Sequence, residues 1–405
     1  MSTQRLTRST ASRHEMIIVG GGNAGLSVAA RLVRALKRLD LVLIEPQSTH
    51  YYQPLWTLVG GGIFPDKTVS ARDQAGLIPA GVHWLQDAVI GFAPEHNTLF
   101  TRAGLTLAYE QLVVAPGLHL AWDQVKGLPA ALGQSGVCSN YSYAQVDKTW
   151  EFIKAFKAGN ALFTCPNTPV KCKAAGQKIM YLMEHFLRRS GQRPQANIIF
   201  ATADPQIFPV PKYAAVLAQL AAERGIDIRF QHNLIELRAD QKEAVFQRLD
   251  TDTTVVLPYE FIHVTPPQRA PDFIRNSPLA NAEGWVAVDQ NTLQHQRYPN
   301  IFSLGDASSL PTVKTGAAVR HQAPVLVQNL LAFKQGKPLP ARYDGYTACP
   351  IVTRYGRVVL TEFDYDKRPR ETFPFNQAKE RFSMYLLKKY ALPFLYWHGI
   401  LRGLL

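Results

Sequence analysis

A glycine-rich turn close to the N-terminus constrains the fold of this chain more than any other feature. Gly20, Gly22 and Gly25 form a GxGxxG pattern between an apolar segment, which predicts a strand, and a segment with helical periodicity. Glycines at these positions allow a tight turn and let the backbone approach a pyrophosphate that faces the N-terminus of the helix. Glu45 ends the next apolar segment, about 20 residues beyond Gly25, where a carboxylate accepts hydrogen bonds from ribose hydroxyls. The pattern predicts a βαβ dinucleotide-binding unit.

The rest of the chain predicts a second unit of the same α/β class. Residues 83–107 alternate in short runs broken by glycine and proline, which is typical of a β-meander, and 116–136 have the composition of a linker. A strand, a helix and further strands follow from about residue 150, and a second meander spans 234–264. A chain of 405 residues is too long for one core. We therefore expect an α/β protein of two Rossmann-like domains with β-meander insertions.

Two later segments favour FAD over NAD as the ligand of the first unit. Ala115 and Gly117 belong to a segment that resembles the second strand-turn signature of two-domain flavoprotein reductases. Gly305 and Asp306 end a segment that resembles their third signature, in which the carboxylate binds the ribityl chain of FAD. Lys314 follows, and a cation beside the flavin N1–C2=O edge would stabilise the anionic reduced ring. A surface lysine in a loop is the alternative for that residue.

An enzyme that uses NADH needs a second glycine loop at the start of the second unit. The corresponding segment, 162–176, contains two prolines and keeps only Gly176 of the expected glycines. Bulky side chains occupy the positions where a pyrophosphate would approach the backbone. The sequence therefore predicts that the second unit has lost its nicotinamide site.

The four cysteines are too few for a disulfide framework, and none is spaced as CxxC, so we expect no metal site. Cys172 stands in the altered loop, between Lys171 and Lys173 and just before a predicted helix, and both features favour the thiolate. We hypothesise that Cys172 and Cys349 meet at the flavin as a redox pair. Their spacing alone also fits two unrelated buried thiols. Cys165 is expected to be a small buried residue.

These segments make the chain similar, over nearly its whole length, to the sulfide:quinone oxidoreductases, in the branch that includes the mitochondrial enzymes. The most specific stretches are 50–60, 166–172, 177–181, 263–267, 343–350, 371–375 and 393–397. The resemblance implies two Rossmann-like domains and a C-terminal membrane-docking region. The implied division is 1–125 for the first part of the FAD-binding domain, 126–295 for the second domain, 296–345 for the return to the first, and 346–405 for the redox-cysteine and docking region.

The resemblance also implies roles for single residues. Cys172 and Cys349 match the family's active-site cysteines, which an extra sulfur atom bridges in the resting form. Sulfide would attack at Cys349 and leave a persulfide there, and the sulfur released on Cys172 would pass two electrons to FAD. Reduced FAD would reduce ubiquinone or another membrane quinone, while glutathione, sulfite or sulfide would remove the sulfane sulfur as a persulfide or polysulfide. The matching flavin contacts are Gly22, Asn23, Glu45, Gln53, Val89 and Lys314.

The role of one cysteine and two other candidate functions are left open by the sequence. Cys138 resembles in position a third cysteine of many bacterial members that mitochondrial members lack, which leaves the length of the released sulfur chain open. An NADH:quinone oxidoreductase of the type II class is the second candidate, and the missing glycine loop disfavours it. A flavoprotein kept for binding or scaffolding is the third, and it would need no paired thiols.

The net charge of +13 indicates an anionic partner or a basic solvated surface. We expect no nucleic-acid partner, because the chain has no Lys/Arg-rich run and no nucleic-acid-binding module. The first 14 residues are rich in arginine and free of acids, as are some organelle presequences and many flexible tails.

The C-terminal tail predicts docking on a membrane without spanning it, since no apolar run approaches the ~20 residues of a transmembrane helix. Phe382, Tyr385 and Leu386 share a predicted helical face, with Lys388 and Lys389 placed to meet headgroups. The tail also contains Tyr396 and Trp397, which suit a membrane interface. We expect peripheral attachment to a respiratory membrane, either the bacterial or the mitochondrial inner membrane, and a homo-oligomer is compatible with it. A helix packed on its own domain is the alternative.

Overall fold

The computed structural model of the chain describes residues 12–405. The presequence-like segment therefore lies almost entirely outside the described residues. The strands are β1 (Ser12–Val19), β2 (Leu41–Ile44), β3 (Thr49–Tyr51), β4 (Ala71–Asp73), β5 (His83–Leu85), β6 (Val89–Ala93), β7 (Thr98–Thr101), β8 (Thr106–Val114), β9 (His119–Leu120), β10 (Val137–Cys138), β11 (Gly159–Cys165), β12 (Ala196–Thr202), β13 (Asp227–Arg229), β14 (His232–Arg238), β15 (Glu243–Arg248), β16 (Thr254–Pro258), β17 (Phe261–His263), β18 (Gln268–Arg269), β19 (Ile301–Ser303), β20 (Thr347–Arg354) and β21 (Arg357–Phe363).

The helices are α1 (Asn23–Ala35), α2 (Trp56–Gly60), α3 (Leu128–Ala131), α4 (Val146–Ala155), α5 (Ala175–Arg189), α6 (Pro211–Glu223), α7 (Asp272–Arg275), α8 (Gly316–Lys334), α9 (Phe382–Leu386) and α10 (Leu392–His398). Helix α1 follows the glycine turn, where the sequence predicts a helix. It ends at Ala35 because Leu36 adopts an extended conformation, with φ −121° and ψ 126°, that leads the chain toward β2.

The first sheet contains the predicted βαβ unit. Its strand order is β5-β2-β1-β8-β7-β6, and β19 also pairs with β8. The last four residues of β1 are apolar and buried, as expected for a strand covered on both faces. Strands β1, β2, β8 and β19 run parallel, with Val19 opposite both Ile44 and Val114, and Ser303 opposite Val114. Their carboxyl ends therefore meet at one edge of the sheet, where sheets of this kind bind ligands.

The second sheet has the order β10-β17-β11-β12-β13 and is parallel throughout. Cys165 at the end of β11 lies opposite Thr202 at the end of β12, so the loops that follow these strands start at the same edge. The antiparallel sheet β14-β15-β16 is the second predicted meander, and β6-β7-β8 forms the first. The predicted α/β class with two Rossmann-like sheets and meander insertions is confirmed.

The C-terminal region folds back onto both sheets. The antiparallel hairpin β20–β21 packs its first strand against α5, and α9 packs against β21. A π-helical turn, Leu387–Ala391, separates α9 from α10. The tail then reaches α1, where a Cβ atom on Gly403 would come within 2.9 Å of the Arg31 backbone nitrogen. Among residues 12–405, no helix combines the length and the hydropathy needed to cross a bilayer.

Candidate active site

The glycine turn after β1 has room for a ligand on one side only. Gly20 has φ +100°, and a Cβ atom there would lie 2.4 Å from the Ala115 carbonyl oxygen. A Cβ atom on Gly25 would lie 1.8 Å from the Gly20 carbonyl oxygen. Gly22, by contrast, has no atom within 4 Å of its Cβ position. The turn is therefore closed toward the sheet and open above the N-terminus of α1, which fits a pyrophosphate.

The Glu45 carboxylate is held in a fixed orientation beside this turn. Its Oε2 accepts a hydrogen bond of 2.7 Å from the Gly21 backbone N–H, and its Oε1 accepts one of 2.8 Å from that of Gln47. Burial raises the pKa of Glu45, and the two backbone hydrogen bonds oppose that rise. Each oxygen keeps a free lone pair, so the carboxylate can still accept from ribose hydroxyls.

The segment after β19 meets the same edge of the sheet. Gly305 has φ +71°, and a Cβ atom there would lie 3.2 Å from that of Ala24 in α1. Lys314 donates from Nζ to the carbonyl oxygens of Asp306 (2.8 Å) and Ser308 (3.0 Å). Burial lowers the pKa of Lys314 to about 8 and raises the pKa of Asp306. The predicted ribityl carboxylate and the predicted flavin lysine thus lie together beside α1.

The remaining predicted flavin contacts are placed as follows. Asn23 opens α1, and its Nδ2 lies 3.5 Å from the Cβ position of Gly316 at the start of α8. Gln53 is exposed at the start of a 3-10 turn, and Val89 is buried at the start of β6. Gly117 has φ +77° and no neighbouring atom within 4 Å of its Cβ position.

The two predicted redox sulfurs lie next to each other. Cys172 Sγ and Cys349 Sγ are 3.8 Å apart, although 177 positions separate the residues in the chain. Cys349 is buried in β20, and Cys172 stands in the loop before α5 with φ +47°. The Cys172 backbone N–H donates to the Lys314 carbonyl oxygen at 3.1 Å. This hydrogen bond joins the thiol loop to the segment of the predicted flavin lysine.

Two buried lysines, Lys178 and Lys388, accompany the sulfurs, and neither role was predicted from the sequence. Lys178 is 2% exposed, and its Nζ lies 2.9 Å from Cys172 Sγ. Lys388 is 4% exposed and donates from Nζ to the Pro54 carbonyl oxygen at 3.1 Å. It was expected at lipid headgroups, but the π-helical turn directs it into the protein instead.

The charges of this cluster depend on one another. A hydrogen bond from Cys349 and the Lys178 ammonium hold the pKa of Cys172 well below its ordinary value, against the effect of burial. The pKa of Cys349 is raised because its thiol donates to Cys172 and is buried. Burial would lower the pKa of Lys178, but the neighbouring sulfurs raise it above its ordinary value. Burial and Lys178 together lower the pKa of Lys388 to about 8. The site therefore holds a thiolate at Cys172 and a protonated thiol at Cys349.

The lysines next to Cys172 in sequence do not contact its sulfur. Lys173 Nζ forms an ion pair of 2.6 Å with Asp204, and Lys171 is half-buried, with its backbone N–H bonded to Gln268. A signal for Lys178 was present in the sequence, because it shares the buried face of α5 with apolar residues. An uncompensated charge on such a face is costly, so a lysine there indicates an anionic partner.

Comparison with known proteins identifies the family. Residues 14–152 match the family of pyridine nucleotide-disulphide oxidoreductases. The mitochondrial sulfide:quinone oxidoreductase of Mus musculus is 49% identical over 97% of this chain and 88% of its own length. That of Dictyostelium discoideum is 49% identical over 100% of this chain and 89% of its own. The chain belongs to the sulfide:quinone oxidoreductase family. It is an FAD-dependent oxidoreductase, and the predicted family, enzyme class and cofactor are confirmed.

The fold of the family extends to distant members. The crystal structure of the sulfide:quinone oxidoreductase from Aquifex aeolicus superposes with a TM-score of 0.83 at 18% identity, covering 97% of this chain and 92% of that one. The glycine turn, the Glu45 carboxylate and the Gly305–Asp306 turn fit the FAD of this family, because they offer an open helix N-terminus and polar groups at one sheet edge.

The other two cysteines are buried thiols that do not belong to the sulfur pair. Cys138 Sγ donates to the Ile262 carbonyl oxygen at 3.6 Å, and burial raises the pKa of its thiol to about 12. Cys165 is buried at the end of β11, and its pKa is likewise raised to about 12. Neither sulfur lies within hydrogen-bonding distance of Cys172 or Cys349.

Exposed apolar side chains recur every four residues along the C-terminal tail of this family member. Phe382, Leu386, Tyr390 and Phe394 are 52%, 39%, 57% and 62% exposed, and we call them the apolar stripe. Lys389 lies beside it, with Nζ 4.9 Å from the centroid of the Tyr390 ring.

Two aromatic residues predicted to lie at the membrane interface are buried instead. Tyr396 donates its hydroxyl to His50, or accepts from it, at 2.6 Å, and Trp397 packs edge-on to the same imidazole. These rings anchor the tail to His50 in β3 and leave the apolar stripe exposed.

Proposed function

We propose that this chain oxidises hydrogen sulfide at Cys172 and Cys349 and delivers two electrons through FAD to a membrane quinone. The observation that carries the proposal is the 3.8 Å approach of the Cys349 sulfur in β20 to the Cys172 sulfur, whose loop is tied to Lys314. The relatives named sulfide:quinone oxidoreductase, at 49% identity, support the choice of substrates.

The separation of the sulfurs suits a bridging sulfur atom. An S–S bond is ~2.05 Å long, so two such bonds reach from one Sγ to the other with a third sulfur between them. Hydrosulfide then attacks the Cys349 sulfur and forms a new S–S bond there. The bond from Cys349 to the bridging sulfur breaks, and its electron pair leaves on the sulfur attached to Cys172. Cys349 is left as a persulfide.

The buried lysines stabilise the anion that this step produces. The negative charge develops on the sulfur attached to Cys172, whose own Sγ lies 2.9 Å from Lys178 Nζ. A fixed cation in a water-poor site stabilises such a charge more than water does. FAD bound at the glycine turn supplies a two-electron acceptor that passes electrons on to quinone. Lys178 and Lys388 therefore hold the sulfur anion until its electrons are transferred.

The sulfane sulfur on Cys349 leaves to a small acceptor, for which glutathione, sulfite and a second sulfide are the candidates. Release as a persulfide or a short polysulfide follows. The burial of Cys138, and its bond to the Ile262 carbonyl, support a cycle that uses two cysteines and not three.

The apolar stripe is proposed to dock the enzyme on a respiratory membrane, where a lipid-soluble quinone is available. Exposed aromatic and aliphatic side chains beside Lys389 suit the boundary between headgroups and acyl chains. The mitochondrial relatives favour the mitochondrial inner membrane, with the bacterial inner membrane as its counterpart. We also propose the domain division 1–125, 126–295, 296–345 and 346–405, which the separate strand orders of the two large sheets support.

An anaerobic titration of the holoenzyme tests the function. Stoichiometric sulfide is expected to bleach the flavin band near ~450 nm, and NADH is expected to leave it unchanged. Cys172→Ser and Cys349→Ser should lose the bleaching, whereas Cys138→Ser, at a buried thiol outside the pair, should keep it.

The other outcomes separate the two alternatives. Rapid bleaching by NADH would favour a type II NADH:quinone oxidoreductase. A flavin that neither sulfide nor NADH reduces would favour a flavoprotein without catalysis.

A further inference from the structure

A small cavity lies behind the sulfur pair and has no part in the scheme above. Its volume is ≈ 30 Å³, and it lies between the carboxyl ends of β11 and β12, the start of α5 and the strand β20. This volume is the space open to the centre of a water-sized sphere, and a cavity needs about 10–15 Å³ of it to hold one water molecule. It therefore holds one or two molecules the size of water.

The cavity is lined both by a partly exposed ion pair and by Cys349. The Lys173 and Asp204 side chains are 33% and 32% exposed, with 2.6 Å between Nζ and Oδ1. Cys349 is buried in the same lining. One cavity therefore joins residues at the surface to the residue that sulfide attacks.

The lining suits a small neutral sulfur compound. Phe200, Phe208 and Phe363 contribute apolar surface, and Cys165 adds a thiol that burial keeps protonated. Gln177 also lines the cavity, is 4% exposed, and has an Oε1 without a hydrogen-bond partner. An unpartnered buried acceptor can receive an S–H donor, while the apolar walls oppose the entry of an anion.

We propose that this cavity, the sulfide chamber, is the route by which dihydrogen sulfide reaches Cys349, and that the Lys173–Asp204 ion pair restricts it to molecules of that size. The inference rests on the proposed function, because it takes Cys349 as the sulfur that is attacked. One proton of dihydrogen sulfide stays on the new persulfide at Cys349, the other is released to water, and the sulfur attached to Cys172 leaves as the anion described above, so atoms and charge balance. A tripeptide such as glutathione is too large for the chamber.

Thiol labelling of the reduced holoenzyme tests the ion pair without measuring turnover. Methyl methanethiosulfonate is the small reagent and fluorescein maleimide the large one, and mass spectrometry follows Cys349 in the tryptic peptide 343–354. Asp204→Ala should speed labelling of Cys349 by the large reagent about tenfold, since pocket size discriminates by such factors. Glu151→Ala, which breaks the surface ion pair with Lys148 on α4, is the matched control and should leave the labelling rate of Cys349 unchanged.

Two results of this experiment would contradict the proposal that the ion pair restricts access to Cys349 through the chamber. One is equal labelling of Cys349 by the large reagent in the wild type and Asp204→Ala. The other is a wild-type Cys349 that the large reagent already labels as fast as the small one.

Narrowing the chamber is the second test. Cys165→Leu places a larger side chain in the cavity and should lower kcat/KM for sulfide about tenfold, with FAD content and kcat retained. An unchanged kcat/KM with full FAD content would contradict the route. This result differs from a failure of the proposed function. In that case, sulfide would still reduce the flavin of the Cys349→Ser variant.

Discussion

At the scale of single residues, Lys178 has the strongest influence on the sulfur pair. An ammonium group buried to this degree is costly unless an anion accompanies it. The Cys172 sulfur, 2.9 Å away, provides that anion, and each group shifts the pKa of the other toward its charged form. The lysine and the thiolate are therefore one electrostatic unit.

Removing the Lys178 charge should raise the pKa of Cys172 and slow the reduction of FAD. We expect Lys178→Met to lower the rate of flavin reduction by sulfide about 100-fold, a typical effect of losing one fixed stabilising group. Lys178→Arg should restore part of the rate. Stopped-flow absorbance measures the rate, and the pH dependence of Cys172 alkylation measures its pKa. Lys148→Met on the surface of α4 serves as the control, and an unchanged alkylation profile in Lys178→Met would contradict the assignment.

Lys388 should make the rate of flavin reduction by sulfide fall at alkaline pH. Its pKa is lowered to about 8, so it is charged below that pH and neutral above it. As the pH rises through 8, the sulfur anion loses one stabilising cation, and the rate of flavin reduction at constant hydrosulfide should fall. The Lys388→Met variant should reduce FAD more slowly than the wild type at pH 7. Its rate should show no further fall as the pH rises through 8. A wild-type profile that stays flat from pH 7 to 9 would exclude the role.

Residue-level prediction from sequence was incomplete for a physical reason. Cys172 and Cys349 could be selected because thiols are few and one replaces a glycine loop. Lys178 and Lys388 were not assigned, although the buried face of α5 carried a signal for Lys178, because a periodic pattern alone treats a lysine as solvated. Only the fold brings Lys178 to the Cys172 sulfur and turns Lys388 inward. Glu45 and Gly20 were identifiable because their spacing belongs to a local motif.

At the scale of secondary-structure elements, the glycine turn gives the most direct test of FAD binding. A Cβ atom on Gly25 would lie 1.8 Å from the Gly20 carbonyl oxygen, so Gly25→Ala must displace the turn from α1. We expect the variant to lose most of its FAD, measured by the ratio of flavin to protein absorbance. Gly76→Ala, where no atom lies within 4 Å, should bind FAD normally. Full occupancy in Gly25→Ala would contradict the placement of the pyrophosphate.

The apolar stripe can be tested by itself because its side chains face solvent. Leu386→Asp combined with Phe394→Asp should abolish co-flotation with anionic liposomes, since both charges would enter the acyl boundary. Reduction of FAD by sulfide should be unaffected. Ile90→Asp, at a residue 54% exposed on β6, is the matched control and should still float. Undiminished flotation of the double variant would assign docking to another surface.

The elements differed in how well the sequence predicted them. The βαβ unit and the two meanders were predicted close to where they lie, because their periodicity is regular. Phe382, Tyr385 and Leu386 were predicted to share a helical face, but the tail contains a π-helical turn after Leu386 that changes which residues face inward. Tyr396 and Trp397 are aromatic and were assigned to the interface, whereas their contacts with His50 bury them.

At the scale of the whole molecule, the site forms where three regions distant in the chain converge. The first sheet provides the glycine turn and Lys314, the second sheet provides the Cys172 loop, and the hairpin β20–β21 provides Cys349. The fold class and the FAD site could be predicted because each repeats a known local pattern. The position of the tail could not, because it depends on packing between residues such as Lys388 and Pro54, 334 positions apart.

The π-helical turn Leu387–Ala391 makes the length of the tail as important as its composition. One segment of five residues points Lys388 inward and Tyr390 outward. Deleting one of those residues would restore ordinary α-helical winding and rotate everything beyond it by about 100°. Either the lysine or the aromatic ring would then face the wrong medium, so this part of the chain tolerates substitution on its surface but not a change in residue count.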